Sequence, residues 1–182
     1  PSPYSLWTVG IPQKDYANRV LENADLLICV GYDIVEYAPQ RINPTRKTPI
    51  LHINTMPAHI NKYYQTACEV VGNISDSLHR ITLRTHRKQE PTAALAIREQ
   101  LIAEHESYAA DASFPMKPQR VLIDVRKVMR PGDILLSDVG AHKMWIARHY
   151  NCYKPKTCLI SNGFATMGFS LPGALAAKLV SP

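Results

Sequence analysis

Asp138-Val139-Gly140-Ala141-His142-Lys143-Met144-Trp145 is followed, after a short interval, by Ser161-Asn162-Gly163-Phe164-Ala165-Thr166-Met167-Gly168-Phe169-Ser170-Leu171-Pro172. An apolar run with the length of a buried strand precedes each stretch: Ile134-Leu135-Leu136 before the first, Thr157-Cys158-Leu159-Ile160 before the second. Each therefore reads as strand, tight loop, helix. Gly140 lacks a Cβ, so the backbone there can approach a ligand closely. A helix opens near His142, and the amides and dipole at its N-terminus favour an anion. Asn162-Gly163 signals a turn, and Met167 to Val180 reads as a helix of small residues. The chemistry suits a phosphate cradle. A plain βα turn, common in parallel sheets, is the simpler reading of Gly140 taken alone. Asp138 is either the N-cap of the first helix or an organiser of the loop, and the two roles are compatible.

Working outward, Pro131-Gly132-Asp133 turns the chain into the first strand. Gln119 to Met129 reads as a helix with Val121, Leu122, Val125 and Val128 as its apolar face. Phe114-Pro115-Met116-Lys117-Pro118 is a linker, because two close prolines favour extended backbone. Thr92 to Ala110 reads as a long helix, rich in Ala, Leu, Ile, Glu and Gln, with Gln89-Glu90-Pro91 as the break before it. Toward the N-terminus, Asp15 to Ala24 reads as a helix. The runs Asp25 to Gly31, Pro49 to Asn54 and Glu69 to Gly72 read as strands. Ile74 to Leu83 completes the set as a helix, with Ser75 as the expected cap. Strands alternating with helices predict an α/β fold, with parallel sheets, flanking helices and right-handed crossovers.

Bulk properties remove other classes. The 182 residues, 46% of them hydrophobic, suit one or two domains with a real core. The net charge of +6 is gathered partly at Arg80, Arg84, His86, Arg87 and Lys88. No aromatic residues interleave with these cations, so a solvated helix end is expected and no nucleic-acid partner. No run has the length of a membrane span and no signal-peptide layout is present, so no membrane partner is expected. Cys29, Cys68, Cys152 and Cys158 lack zinc spacing and read as reduced thiols of a cytoplasmic protein. His52 and His59 are two helical turns apart, as are His142 and His149, too far for a zinc pair, and no metal site is expected in this chain. Trp7 and Trp145 are expected in the core. No Gly-x-Ser-x-Gly elbow is present, so no Ser/His/Asp triad can be built.

The two opening stretches together resemble the start of the cofactor-binding domain of thiamine-diphosphate enzymes, and within them the acetolactate synthase (acetohydroxyacid synthase) family. The resemblance implies that Gly140 and His142 lie on the diphosphate, with Val139 and Ala141 in the same turn. It implies that the carbonyl of Ala165 accepts from the cofactor's 4′-amino group. Met167, beside Thr166, would support the bent cofactor from below and act as the catalytic prop; core filler is the alternative for Met167. A second resemblance lies in Ala24-Asp25-Leu26-Leu27-Ile28-Cys29-Val30-Gly31-Tyr32-Asp33-Ile34-Val35-Glu36-Tyr37, which is similar to the family's middle domain. The flavin-containing members usually read Arg-Phe-Asp-Asp after that glycine. Tyr32 to Tyr37 is instead the pattern of the catabolic, flavin-free type, so no FAD is expected. Glu36 would place a carboxylate where a flavin diphosphate would otherwise lie.

The implied architecture is two partial Rossmann-like domains joined by a helical linker. Residues 1–88 would be the later part of the middle domain, 89–118 a linker with the long helix, and 119–182 the opening of the cofactor domain. The implied parent is a homo-oligomer, dimer or tetramer, that uses pyruvate, thiamine diphosphate and magnesium, with the magnesium ligands outside this chain. It would decarboxylate one pyruvate and join the remainder to a second, giving 2-acetolactate and carbon dioxide. The segment alone is expected to be inactive. Other readings are another thiamine-diphosphate enzyme (an oxo-acid decarboxylase, pyruvate oxidase or sulfoacetaldehyde acetyltransferase), a non-catalytic nucleotide-binding domain, and a basic interaction module.

Overall fold

Parallel strand pairing organises each of two units, residues 9–94 and residues 1–8 with 95–182, in the computed structural model. The structure describes residues 2–8, 15–34, 37–86, 92–162 and 164–181. Glu36 and Gly163 lie outside the described residues.

In the unit of residues 9–94, β1 (Leu27–Val30), β2 (Ile50–Asn54) and β3 (Thr66–Val71) form a parallel sheet in that order. The apolar runs make strands because branched side chains pack well on a pleated surface. Leu27, Ile50 and Tyr64 form the core, with Leu21, Ile42 and Ala58 packed around it. Ile28 and Val30 are exposed, so β1 is covered on one face only within this unit. Helix α1 (Arg19–Glu22) is shorter than its sequence signal, since a 3-10 turn at Tyr16–Asn18, capped by the Asp15 carboxylate, takes up the first residues. Helix α2 (Pro39–Ile42) is a single turn and α3 (Ile74–Thr82) follows β3. Asn73, not Ser75, caps α3: its backbone is extended and its side chain accepts from the Asp76 amide at 3.0 Å. His52 is buried and fully partnered. Its Nε2 donates to the Met56 carbonyl at 3.2 Å, leaving Nδ1 to accept from the Tyr64 hydroxyl at 2.8 Å.

The other unit contains α5 (Pro118–Val128), β4 (Leu135–Ser137), α6 (Ala141–His149), β5 (Cys158–Ile160), α7 (Ser170–Val180) and α4 (Thr92–Ala109) from residue 95 onward. Strands β4 and β5 pair in parallel, Leu136 opposite Leu159. The inward face of α5 differs from the sequence reading. Ile123 and Arg126 are buried, whereas Val121 and Val128 are exposed. The Arg126 guanidinium sets that face: it donates to the Met129 and Arg130 carbonyls at 2.6 Å each and to the Tyr150 hydroxyl at 2.8 Å. A planar fork of donors satisfies two turn carbonyls that a valine would leave unpaired. Trp7 and Trp145 are half-buried rather than core residues. Trp7 donates its indole N–H to Asn151 and lies under the Arg98 guanidinium. Cys29 and Cys158 are half-buried thiols, and Cys68 and Cys152 are exposed ones. Among the described residues no helix is long and apolar enough to cross a membrane.

Candidate functional site

The turn after β4 is built from its backbone outward. Ser137 is buried at the strand's end, and its hydroxyl donates to the Asp138 carbonyl at 2.7 Å. Gly140 is the N-cap residue of α6 in extended conformation, and its carbonyl accepts from the Lys143 amide at 3.2 Å. A Cβ at Gly140 would lie 2.8 Å from Cε1 and 2.9 Å from Nδ1 of His142, so the ring folds over a space that only a hydrogen leaves open. His142 Nε2 lies 2.9 Å from the Asp138 carbonyl. A carbonyl only accepts, so Nε2 carries the proton. Nδ1 is then an acceptor in the neutral ring and a donor to an anion in the imidazolium.

The second turn continues β5. Ser161 donates its amide to the Ser137 carbonyl at 3.1 Å, extending the ladder to the mouth of both loops. Ala165 and Gly168 both have positive φ, +54° and +82°. A non-glycine residue in that region is uncommon and marks a sharply bent loop. The helix begins at Ser170, three residues later than its sequence signal, because Gly168 bends the chain before it. Met167 is therefore in a turn, not in a helix, and is 84% exposed. Its side chain is not packed into the core of this unit.

Asp138 joins the two turns. Its carboxylate accepts from the Gly168 amide at 2.8 Å and from the Ser170 amide at 2.7 Å. These donors hold its carboxyl below the usual aspartate range, the Gly168 amide first and the Ser170 amide next. Of the two roles open to Asp138 in the sequence, loop organiser is the one its side chain performs, since Gly140 occupies the N-cap of α6. Local spacing carried no signal for its partners, which lie 30 and 32 residues away.

The structure thus brings Val139, Gly140, Ala141 and His142 into one turn and ties to it the loop of Ala165, Thr166 and Met167. Both are open to solvent. A ligand with an anionic end and an apolar body fits this set: an imidazole and a glycine turn on one side, an exposed thioether on the other. A cavity of about 730 Å³ lies elsewhere, at the entry end of β4 between Ile134, Leu136, Lys154, Ala174 and Ala177, and no residue of the two turns lines it. Among the described residues no group of three His, Cys, Asp or Glu side chains is placed to hold a metal ion.

Residues 1–81 match the thiamine pyrophosphate enzyme central domain. Residues 138–182, which open on Asp138, match the thiamine pyrophosphate enzyme C-terminal TPP binding domain. Catabolic acetolactate synthase of Raoultella terrigena is 33% identical over 179 residues, covering 96% of this chain and 32% of that protein. Acetolactate synthase of Bacillus subtilis (strain 168) is 29% identical over 178 residues, covering 96% and 31%. The mitochondrial acetolactate synthase catalytic subunit of Saccharomyces cerevisiae is 31% identical over 196 residues, covering 99% and 28%. The chain spans less than a third of the length of these relatives. Two motifs carried on successive parallel βα turns, within a match to the TPP-binding domain and behind a match to the central domain, make this chain a member of the thiamine pyrophosphate enzymes.

Proposed function

We propose that this chain is part of an acetolactate synthase that decarboxylates pyruvate and joins the remainder to a second pyruvate, releasing 2-acetolactate and carbon dioxide. The observation that carries the proposal is the Asp138 bridge between the Gly140–His142 turn and the Met167 loop, inside the segment matched to the TPP binding domain. Gly140 and His142, with Val139 and Ala141, would hold the diphosphate of thiamine diphosphate. The Ala165 carbonyl would accept from the cofactor's 4′-amino group, and Met167 with Thr166 would support the rings. When bound, the cofactor supplies the carbon nucleophile and the electron sink for decarboxylation. The protein's part is orientation. The imidazolium form of His142 can donate to a phosphate oxygen, and Met167, free of core packing, can lie against an apolar ring face. No residue of this chain is assigned to magnesium, whose ligands are expected outside it. The functional parent would be a homodimer or homotetramer working in the cytoplasm.

Titration with thiamine diphosphate, read by the fluorescence of Trp145 in α6, tests the site directly. Saturable quenching that His142→Ala weakens is the expected result. Equal binding by the variant would remove His142 from the site. Acetolactate formation from pyruvate by the longer parent then tests the reaction. A second reading, another thiamine-diphosphate enzyme, draws on the 30% identity to the Bacillus subtilis putative thiamine pyrophosphate-containing protein YdaP. Carbon dioxide release without acetolactate would favour it.

A further inference from the structure

Phe164 is fully open to solvent and Met167 largely so, and their side chains add no hydrophobic burial to hold the loop in place. Two left-handed residues, Ala165 and Gly168, bend that loop sharply. A bent, unpacked loop needs a fixed polar anchor to keep one conformation. The anchor is a single carboxylate on the other motif.

We propose that Asp138 is the positioning residue that sets the distance between His142 and the Met167 loop, and so between the two ends of the cofactor. This rests on the thiamine-diphosphate reading above. Asp138 works in both directions. Its carbonyl receives His142 Nε2 at 2.9 Å and the Ser137 hydroxyl at 2.7 Å. Its carboxylate receives the Gly168 and Ser170 amides at 2.8 and 2.7 Å. One residue therefore fixes the imidazole with its backbone and the Met167 loop with its side chain. Amide-to-carboxylate bonds of this length are charge-assisted and strong. Ser170 is the first residue of α7, so the carboxylate also meets the positive end of that helix. Chemistry selects aspartate here. Two acceptor oxygens face two N–H donors, whereas asparagine would set its own NH₂ against one of them. Glutamate keeps both oxygens but adds a methylene, which pushes the loop away from His142.

Asp138→Asn and Asp138→Glu in this chain separate positioning from plain stability. Amide hydrogen exchange at Gly168 and Ser170 is measured alongside thiamine-diphosphate titration and a thermal melt. In Asp138→Asn, exchange at those two amides should rise at least tenfold while α5 stays protected, and cofactor affinity should fall at least tenfold. Asp138→Glu should restore protection but not affinity, a split that a merely stabilising carboxylate would not give. Unchanged exchange in Asp138→Asn, or full recovery of affinity in Asp138→Glu, overturns the proposal. If this chain binds no thiamine diphosphate, the same titration on the longer parent decides the cofactor reading, and the exchange data still decide whether Asp138 holds the loop. Should Asp138→Asn not fold, NMR of the wild type decides. The Gly168 and Ser170 amide protons should shift with the ionisation of Asp138, at a midpoint below the ordinary aspartate range. Absence of that shared titration refutes the bridge.

Discussion

Met167 shows how one side chain can change meaning between sequence and structure. A methionine after a strand, at the start of an apolar segment, has the signature of packing. In the fold it stands in a turn, 84% exposed. Removing it should therefore cost little stability. Met167→Ala is expected to change the free energy of unfolding by no more than about 0.5 kcal/mol, as for other surface sites. If Met167 supports the cofactor rings, the same substitution should lower pyruvate turnover of the parent by orders of magnitude, because the rings lose an enforced approach. A thermal melt paired with steady-state turnover checks both. Turnover near the parental level at an unchanged melting temperature would leave Met167 with no functional part.

At the level of elements, α6 carries the candidate site at one end and a buried histidine at the other. His149, its last residue, is 3% exposed, stacks on His105 of α4 and meets the edge of the Tyr108 ring. Its Nδ1 has no hydrogen-bond partner. Burial lowers its pKa from 6.5 to about 4; Glu104 opposes that shift, and His105 and Arg148 add to it. Burial lowers the His105 pKa as well. The sign follows from linkage. Above pH 6.5 neither the folded nor the unfolded state is protonated at His149, and its contribution is complete. As pH falls toward 4 the unfolded chain takes up the proton first, and stability is lost. One imidazole with this shift accounts for about 3 kcal/mol across that window. Urea unfolding of wild type and His149→Phe at pH 7 and pH 4.5 measures it. The wild type should lose more stability than the variant on acidification. Equal losses would mean that His149 is not the group responsible.

For the whole molecule, the Tyr32 to Tyr37 segment bears on which branch of the family the chain represents. Gly31 leaves β1 with φ +62°, a conformation that suits glycine, and the Tyr32 hydroxyl donates to the Tyr37 carbonyl. The Tyr-Asp-Ile-Val-Glu-Tyr pattern, together with 33% identity to a catabolic acetolactate synthase, leads to the expectation that the parent purifies without flavin. Heat-released FAD at one equivalent per subunit, detected by its absorbance, would contradict it.

What the amino-acid sequence determined by itself is local. Apolar runs of strand length placed the five strands among the described residues, β3 beginning at Thr66, ahead of its Glu69 to Gly72 signal, and Gly31 and Gly140 marked the loops that follow two of them. Pro118 stands at the first position of α5, where a missing amide costs nothing. These features depend on neighbours a few residues apart, which periodicity and turn chemistry report. Tertiary structure alone decided which faces turn inward and which loops are tied together. Arg126 displaced valine from the inner face of α5 because two turn carbonyls and Tyr150, up to 24 residues away, required its donors. Tyr64 entered the core through His52 on β2, an outcome that no run of apolar residues announced. Asp138 became the link between two motifs because parallel pairing of β4 and β5 sets their loops side by side, within reach of one carboxylate. Such contacts depend on where distant segments meet, and that is fixed only when the strands pair and the helices pack.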